Sequence, residues 1–219
     1  MSVIAVTGLK GGTGKSTLTA NLAYGLSALG HSVVVFDTDP QKSLWMWANL
    51  GKGFLSRTVR TLDMRHPERF KAAILESSAS RVLIDTPPGF ADPALAASLL
   101  ADLVLLPCGP SPLDILAAKE ALELTREAQK RRSGGKPIIR FVPSKTFPRT
   151  NLSRDLGASL ESLGEKLLPA ISHRVGIAEA SIQGLTIGEY QPNSAAHTEF
   201  QNLAKTTERT IIRNEQGTS

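Results

Sequence analysis

Cysteine is nearly absent: Cys108 is the only one in 219 residues. A lone thiol excludes an internal disulfide and also a cysteine-ligated metal or iron–sulfur centre within one subunit, so Cys108 reads as a buried, inert core residue. Aromatic side chains are scarce as well, at 5% with two Trp and two Tyr. Nothing in that supply suggests a platform for stacking bases, and any nucleic-acid contact would fall on the backbone. Trp45 and Trp47 sit together in one helix-length segment and read as packing or partner-surface residues. The four histidines, His31, His66, His173 and His197, are scattered and read as surface or packing residues. No basic leader runs into a long apolar region, and no apolar run has membrane-spanning length. A cytoplasmic protein is the expectation.

What the chain does have is an ordinary globular balance, 41% hydrophobic and 21% charged, with a formal net charge of +5 that permits polyanion binding without establishing it. Apolar runs of strand length, 2–8, 32–38, 81–87, 102–108 and 137–143, are rich in Val, Ile and Leu, and "TVRTLD" (58–63) reads as a weaker edge strand. Helix patterns alternate with them at about 15–29, 41–50, 67–78, 92–101, 112–132 and 152–164. That alternation predicts an α/β fold, a doubly wound and mostly parallel sheet with helices on both faces. Neither a linker nor a repeat interrupts it. One domain over 1–219 is expected, with "NEQGTS" (214–219) as a flexible polar tail.

The first strand ends in "TGLKGGTGKST" (7–17) and a helix follows, which is where a doubly wound sheet binds phosphates. Gly11, Gly12 and Gly14 let the backbone curl so that successive N–H groups, with those of Thr13 and the helix start, point inward at an anion. Lys15 can reach the outer phosphates, and Ser16, followed by Thr17, can offer its hydroxyl to Mg²⁺. A phosphate loop of this kind predicts ATP and Mg²⁺. Leu9, however, stands where the first glycine of G-x-x-x-x-G-K-[ST] belongs, and a second lysine, Lys10, follows it. Downstream, Asp37 and Asp39 end the second strand two residues apart, on one side of the pleat if the extended conformation persists. Asp85 ends the third apolar run and fits the role of holding Mg²⁺ in a phosphate-loop fold. "DTPPGFAD" (85–92) then places two prolines before Gly89, a stiff segment meeting a permissive one, so Gly89 is a candidate phosphate-sensing switch.

Taken together, "KGGTGKST" (10–17), "FDTDPQ" (36–41) and "LIDTPPG" (83–89) resemble the deviant Walker A, Walker A′ and Walker B motifs of the ParA/MinD group of P-loop ATPases, and "PSPLD" (110–114) and "GLTIGEY" (184–190) extend the likeness towards short ParA- and ParF-type partition ATPases. The resemblance implies that Lys10 crosses a dimer interface to the partner's nucleotide, that Asp39 is needed for hydrolysis, and that Asp37 supports the Mg²⁺ side. It implies that Pro110 borders the nucleotide, in a segment beside the adenine and the dimer surface. Apart from the family, a cation at Lys10 could offset the repulsion of two facing nucleotides, or simply be a solvated lysine.

By the same resemblance the protein forms an ATP-dependent homodimer, binds nonspecific DNA at the nucleoid, and works with a ParB-like or other cargo adaptor to segregate or position a plasmid, chromosome region or protein cargo. Candidate DNA contacts are Arg174 and, at a spacing of four on the last helix, Lys205, Arg209 and Arg213, with Lys130, Arg131, Arg132 and Arg154 as further cations. A solvated helix face is the plainer reading of such residues. Two rivals share the loop. A MinD-like membrane-positioning ATPase would need an apolar anchor, which "NEQGTS" does not supply. A metabolic P-loop ligase or kinase-like enzyme would need a dedicated substrate pocket with further catalytic groups.

Overall fold

The computed structural model describes residues 1–217, with side chains up to Arg213. Strands β1 (Ser2–Val6), β2 (Val33–Asp37), β3 (Val59–Thr61), β4 (Arg81–Asp85), β5 (Leu103–Cys108), β6 (Ile138–Thr146) and β7 (Ile171–Ser172) form one seven-stranded sheet in the order β3-β2-β4-β1-β5-β6-β7. Every pairing in it is parallel. The doubly wound fold expected from the alternation is therefore present, with "TVRTLD" supplying the edge strand β3.

β1 is buried along its length and apolar from Val3 to Val6 because both of its faces are covered. Ile4 and Val6 enter one core, with Leu18, Leu22 and Leu26 of α1 (Lys15–Ala28) and Phe200, Leu203 and Ile211 of α10 (Ala195–Gly217). Val3 and Ala5 enter the other, with Phe70 of α4 (Pro67–Leu75), Ala97 of α5 (Ala91–Leu100), Leu122 of α6 (Pro112–Lys130) and Leu156 of α7 (Asn151–Glu161). Helices α2 (Ser43–Asn49), α3 (Phe54–Thr58), α8 (Val175–Ile182) and α9 (Ile187–Tyr190) complete the chain. The "GLTIGEY" stretch has a packing role: Trp47 donates to the Leu185 carbonyl at 3.1 Å, and Ile187 N–H donates to Asn21 Oδ1 at 2.8 Å.

Three features depart from the sequence reading. β7 has only two residues and α3 and α9 only five and four, too short for a periodicity to show. β6 runs three residues further than expected, to Thr146. Helix α10 continues to Gly217, into the stretch expected to be a tail, and residues 218 and 219 lie outside the described ones.

The topology positions the site. β1 lies between β4 and β5, so the chain leaves its C-terminal end in one direction and returns on the other, and the crevice at that reversal is where open parallel sheets place ligands. In register, Val6, Asp37 and Asp85 stand at one level across β1, β4 and β2. At the opposite end of β4, Arg81 binds Glu208 of α10, with Nε to Oε2 at 3.0 Å, and ties the last helix to the sheet.

Candidate nucleotide site

The loop from Thr7 to Gly14 joins β1 to α1 through two left-handed glycines, Gly12 at φ 77° and Gly14 at φ 93°. Open space surrounds the position a Cβ would take at either one, so the requirement for glycine is conformational rather than steric. Gly14 is the N-cap of α1 and has no side chain to accept the helix's first N–H groups, which remain available to an anion. Lys15 begins the helix and is buried, with its ammonium 3.1 Å from the Lys10 carbonyl. Burial pulls its pKa below the usual lysine range, while Asp85 and Asp39 act in the other direction. A cation desolvated in this way and aimed into a loop of free N–H groups suits a phosphate.

Ser16 and Asp85 meet directly: the Ser16 hydroxyl donates to Asp85 Oδ2 at 2.6 Å, and Thr19 donates to Oδ1 at 3.0 Å. Burial pushes the Asp85 carboxyl up to about 7; the Asp37 charge adds to the rise, while the Ser16 and Thr19 hydroxyls and Lys15 oppose it. A buried carboxylate short of positive charge, in contact with the helix-start serine, is a hard oxygen pair that fits Mg²⁺. Among the described residues no cluster of three or more His, Cys, Asp or Glu forms a dedicated metal cage. Mg²⁺ in phosphate-transfer sites seldom uses one, since substrate phosphates complete its shell.

The other two carboxylates diverge. The extended conformation ends at Asp37, whose Oδ1 accepts the Asp39 N–H at 3.0 Å and whose Oδ2 accepts the Trp45 N–H at 2.8 Å. Asp37, expected beside Mg²⁺, anchors the start of α2, because the orphan N–H groups of that helix need an acceptor and Lys42 at its N-cap offers none; its charge also reaches Asp85. Asp39 sits in the turn, where it accepts the Gln41 N–H at 2.9 Å, and it faces Lys15 closely enough to offset part of the lowering that burial imposes on that lysine.

Two further contacts fasten the rim of the loop. Gly89, at φ 80°, donates its N–H to the Leu9 carbonyl at 2.6 Å, so the segment after Asp85 is bonded to the phosphate loop itself. Lys10 makes an ion pair with Asp114 of α6, Nζ to Oδ1 at 2.6 Å. That partner lies 104 positions away in the chain.

A cavity of about 270 Å³ opens beside Gly14, Thr17 and Leu18 and extends past Ser144 and Lys145, at the end of β6, to the segment 171–181. Its outer wall carries His173, whose ring lies 5.8 Å from that of Phe147. Pro110, expected beside the nucleotide, is not among the residues that line this cavity. Of the residues that line it, Ser144, Lys145, Ile171, Ser172, Ile177 and Ala178 went unnoticed in the sequence, although the C-terminal ends of β6 and β7 are places where the fold's ligand rule would have pointed. Arg174, expected on a DNA surface, lines this cavity and pairs with Glu199 at 2.7 Å. Lys205, Arg209 and Arg213 do share the exposed face of α10, opposite the buried Leu203, Thr207 and Ile211.

With the loop, the Ser16–Asp85 pair and the cavity in place, comparison with known proteins is decisive: residues 4–187 match the model of the CobQ/CobB/MinD/ParA nucleotide-binding domain. The chain belongs to that family. Within it, the chain is 30% identical over 188 residues to the maintenance of carboxysome distribution protein A of Halothiobacillus neapolitanus, covering 84% of this chain and 85% of the relative. It is 27% identical over 235 residues to the chromosome-partitioning ATPase Soj of Thermus thermophilus, covering 92% and 93%. Among solved structures, the septum site-determining protein MinD of Pyrococcus horikoshii, complexed with Mg-ADP, superposes at a TM-score of 0.76 with 20% identity, covering 97% and 98% of the two chains. That likeness concerns the fold. No helix among the described residues is long and apolar enough to cross a membrane.

Proposed function

We propose that this protein is a ParA-type ATPase that binds Mg²⁺-ATP, dimerises around two nucleotides, binds DNA without sequence preference and positions a cargo through an adaptor. The observation that carries the reading is the pairing of Ser16 with Asp85 at 2.6 Å beneath a loop that holds two lysines, Lys10 and Lys15. Lys15 and the N–H groups of 11–16 would receive the phosphates, and Ser16 and Asp85 would hold Mg²⁺, which supplies charge neutralisation on the phosphate oxygens. Asp39 would orient the attacking water. Lys10 would reach the partner's phosphates, which requires its pair with Asp114 to open.

The relatives named for carboxysome distribution and chromosome partitioning support cargo positioning as the biological use. For the partner surface, the basic outer face of α10 supports DNA over an apolar membrane contact. The test is light scattering and DNA binding with ATP, ADP and no nucleotide. A dimer and DNA retention that require ATP, and that are lost in Lys15→Ala, are expected. A monomer that ignores ATP, or DNA binding indifferent to nucleotide, would refute the proposal.

A further inference from the structure

The two tryptophans that stand together in the sequence separate in the fold. Trp47 is buried, whereas Trp45 is 41% exposed, and beside it Met46 and Leu50 are 52% and 65% exposed. Lys42, Trp45, Met46, Asn49 and Leu50 follow one another at helical spacing, so they share the outer face of α2 and its two caps. Beneath that face Leu44, Trp47 and Ala48 are buried, and Asn49 Nδ2 donates to the Trp45 carbonyl at 2.7 Å. The helix is fixed from below, and its outer side is apolar at the centre.

The edge of this face is cationic. Between Pro40 and Leu62 the sequence has no acidic residue, and Lys42, Lys52 and Arg57 stand exposed. None of these three pairs with a carboxylate among the described residues. Glu189, the acid that packs against Gly53, is turned inward: its Oε1 accepts the Phe54 N–H at 2.6 Å and its Oε2 the Thr186 N–H at 3.0 Å. Lys42 also holds a left-handed backbone, φ 52° and ψ 37°, which glycine would adopt without strain. A strained lysine with a free ammonium, at the head of an exposed apolar face, points to binding rather than stability.

We propose that the outer face of α2 docks an acidic amphipathic segment of a partner protein, with its apolar side chains on Trp45, Met46 and Leu50 and its carboxylates on Lys42, Lys52 and Arg57. Anchors at this spacing are how a helix face and an amphipathic segment meet. Duplex DNA would satisfy the cations, but its phosphates cover no apolar surface. A lipid surface is disfavoured too, because a seven-residue helix with so few exposed apolar side chains buries little area in a bilayer. The inference rests on the proposed function for one point, that an adaptor protein exists. It places that partner on the element whose start is held by Asp37, through the Trp45 N–H at 2.8 Å.

The experiment selects randomised phage-displayed peptides on the wild-type protein without nucleotide, then measures the enriched peptides by fluorescence anisotropy against wild type, Trp45→Ser, Leu50→Ser and Lys42→Gly. Enriched peptides are expected to carry Asp or Glu around two or three apolar residues at helical spacing. Trp45→Ser and Leu50→Ser should each weaken them about tenfold, as loss of a central apolar anchor does. Lys42→Gly should weaken them about threefold while raising the melting temperature by about 1–3 °C, since the charge goes and the strain is relieved. An enriched pool without acidic residues, affinities that the variants leave unchanged, or no enriched peptide would overturn the inference. So would Trp45-dependent binding of duplex DNA or of phosphatidylglycerol vesicles, or self-association of the protein that Trp45→Ser removes. Should Trp45→Ser fail to fold, Leu50→Ser, at the C-cap of α2, decides alone. None of these measurements uses ATP, so a failure here and a failure of the ATP-dependent dimer are read separately.

Discussion

Lys10 and Asp114 form an ion pair 2.6 Å long within one chain, although the cation stands on the rim of the phosphate loop and the carboxylate opens α6. Asp114 is also packed against Gly109, where an added Cβ would come within 2.5 Å of Oδ2, so the carboxylate has little room to follow the lysine. On the proposed function, dimerisation must break this contact. Lys10→Ala is expected to abolish the ATP-dependent dimer while leaving ATP affinity within a few-fold. Asp114→Asn is expected to lower the ATP concentration at half-dimerisation a few-fold, the scale of a partly exposed pair. Light scattering across an ATP titration measures both, and a Lys10→Ala protein that dimerises normally would remove the trans role.

Asp37 and Asp39, two residues apart, are expected to fail in different ways. Asp37→Ala leaves the Asp39 and Trp45 N–H groups without their acceptor and should cost about 1–3 kcal/mol of stability. Asp39→Ala removes only an Asx-turn contact and should melt close to wild type, while prolonging the ATP-bound dimer on DNA. Thermal unfolding paired with hydrolysis assays separates the two; matching losses of stability would show that Asp39 too is structural.

For the α10 face, Lys205→Ala and Arg209→Ala together should weaken DNA binding across all sequences and reduce the slope of log K against log salt by about 2, one for each phosphate that is no longer neutralised. An unaltered slope would place the DNA surface elsewhere. Thermal stability should not change, since both side chains are exposed.

His197 is buried beside Tyr24, ring centroids 6.0 Å apart, and burial holds its pKa below the ordinary 6.5. The unfolded chain therefore binds the proton more readily than the folded one. The stability that His197 contributes is complete above pH about 6.5 and is lost as pH falls below that value. Its Nε2 lies 2.9 Å from Gln201 Nε2, which fits a neutral ring accepting from the amide. The difference in melting temperature between wild type and His197→Gln should shift in favour of the variant between pH 7 and pH 5. A difference constant over that range would contradict the assignment.

How much was legible follows the range of each interaction. The phosphate loop is a local object: the strand, Gly12, Gly14 and the helix start lie in consecutive residues, and the left-handed turns that they require are written in the glycines. Asp85 was legible because a carboxylate ending a buried strand next to β1 can only stand at the sheet's C-terminal edge. Asp37 shares that edge, but its acceptor duty toward α2, eight residues on, was not legible. The cavity was not legible for a related reason: it lies beside the ends of β6 and β7, which no short motif marks.

The sequence by itself determined the parallel sheet, the phosphate loop at the end of β1, and the carboxylates available to it, because strand burial on two faces and backbone conformation at glycine are properties of neighbouring residues. Only the tertiary structure decided which partners those side chains take. Lys10 meets Asp114 104 positions away, Ser16 meets Asp85 at a separation of 69, and Glu199 holds Arg174 from another helix. Charged and polar groups drawn out of water must find partners wherever the fold brings them, and composition and spacing along the chain do not encode that choice.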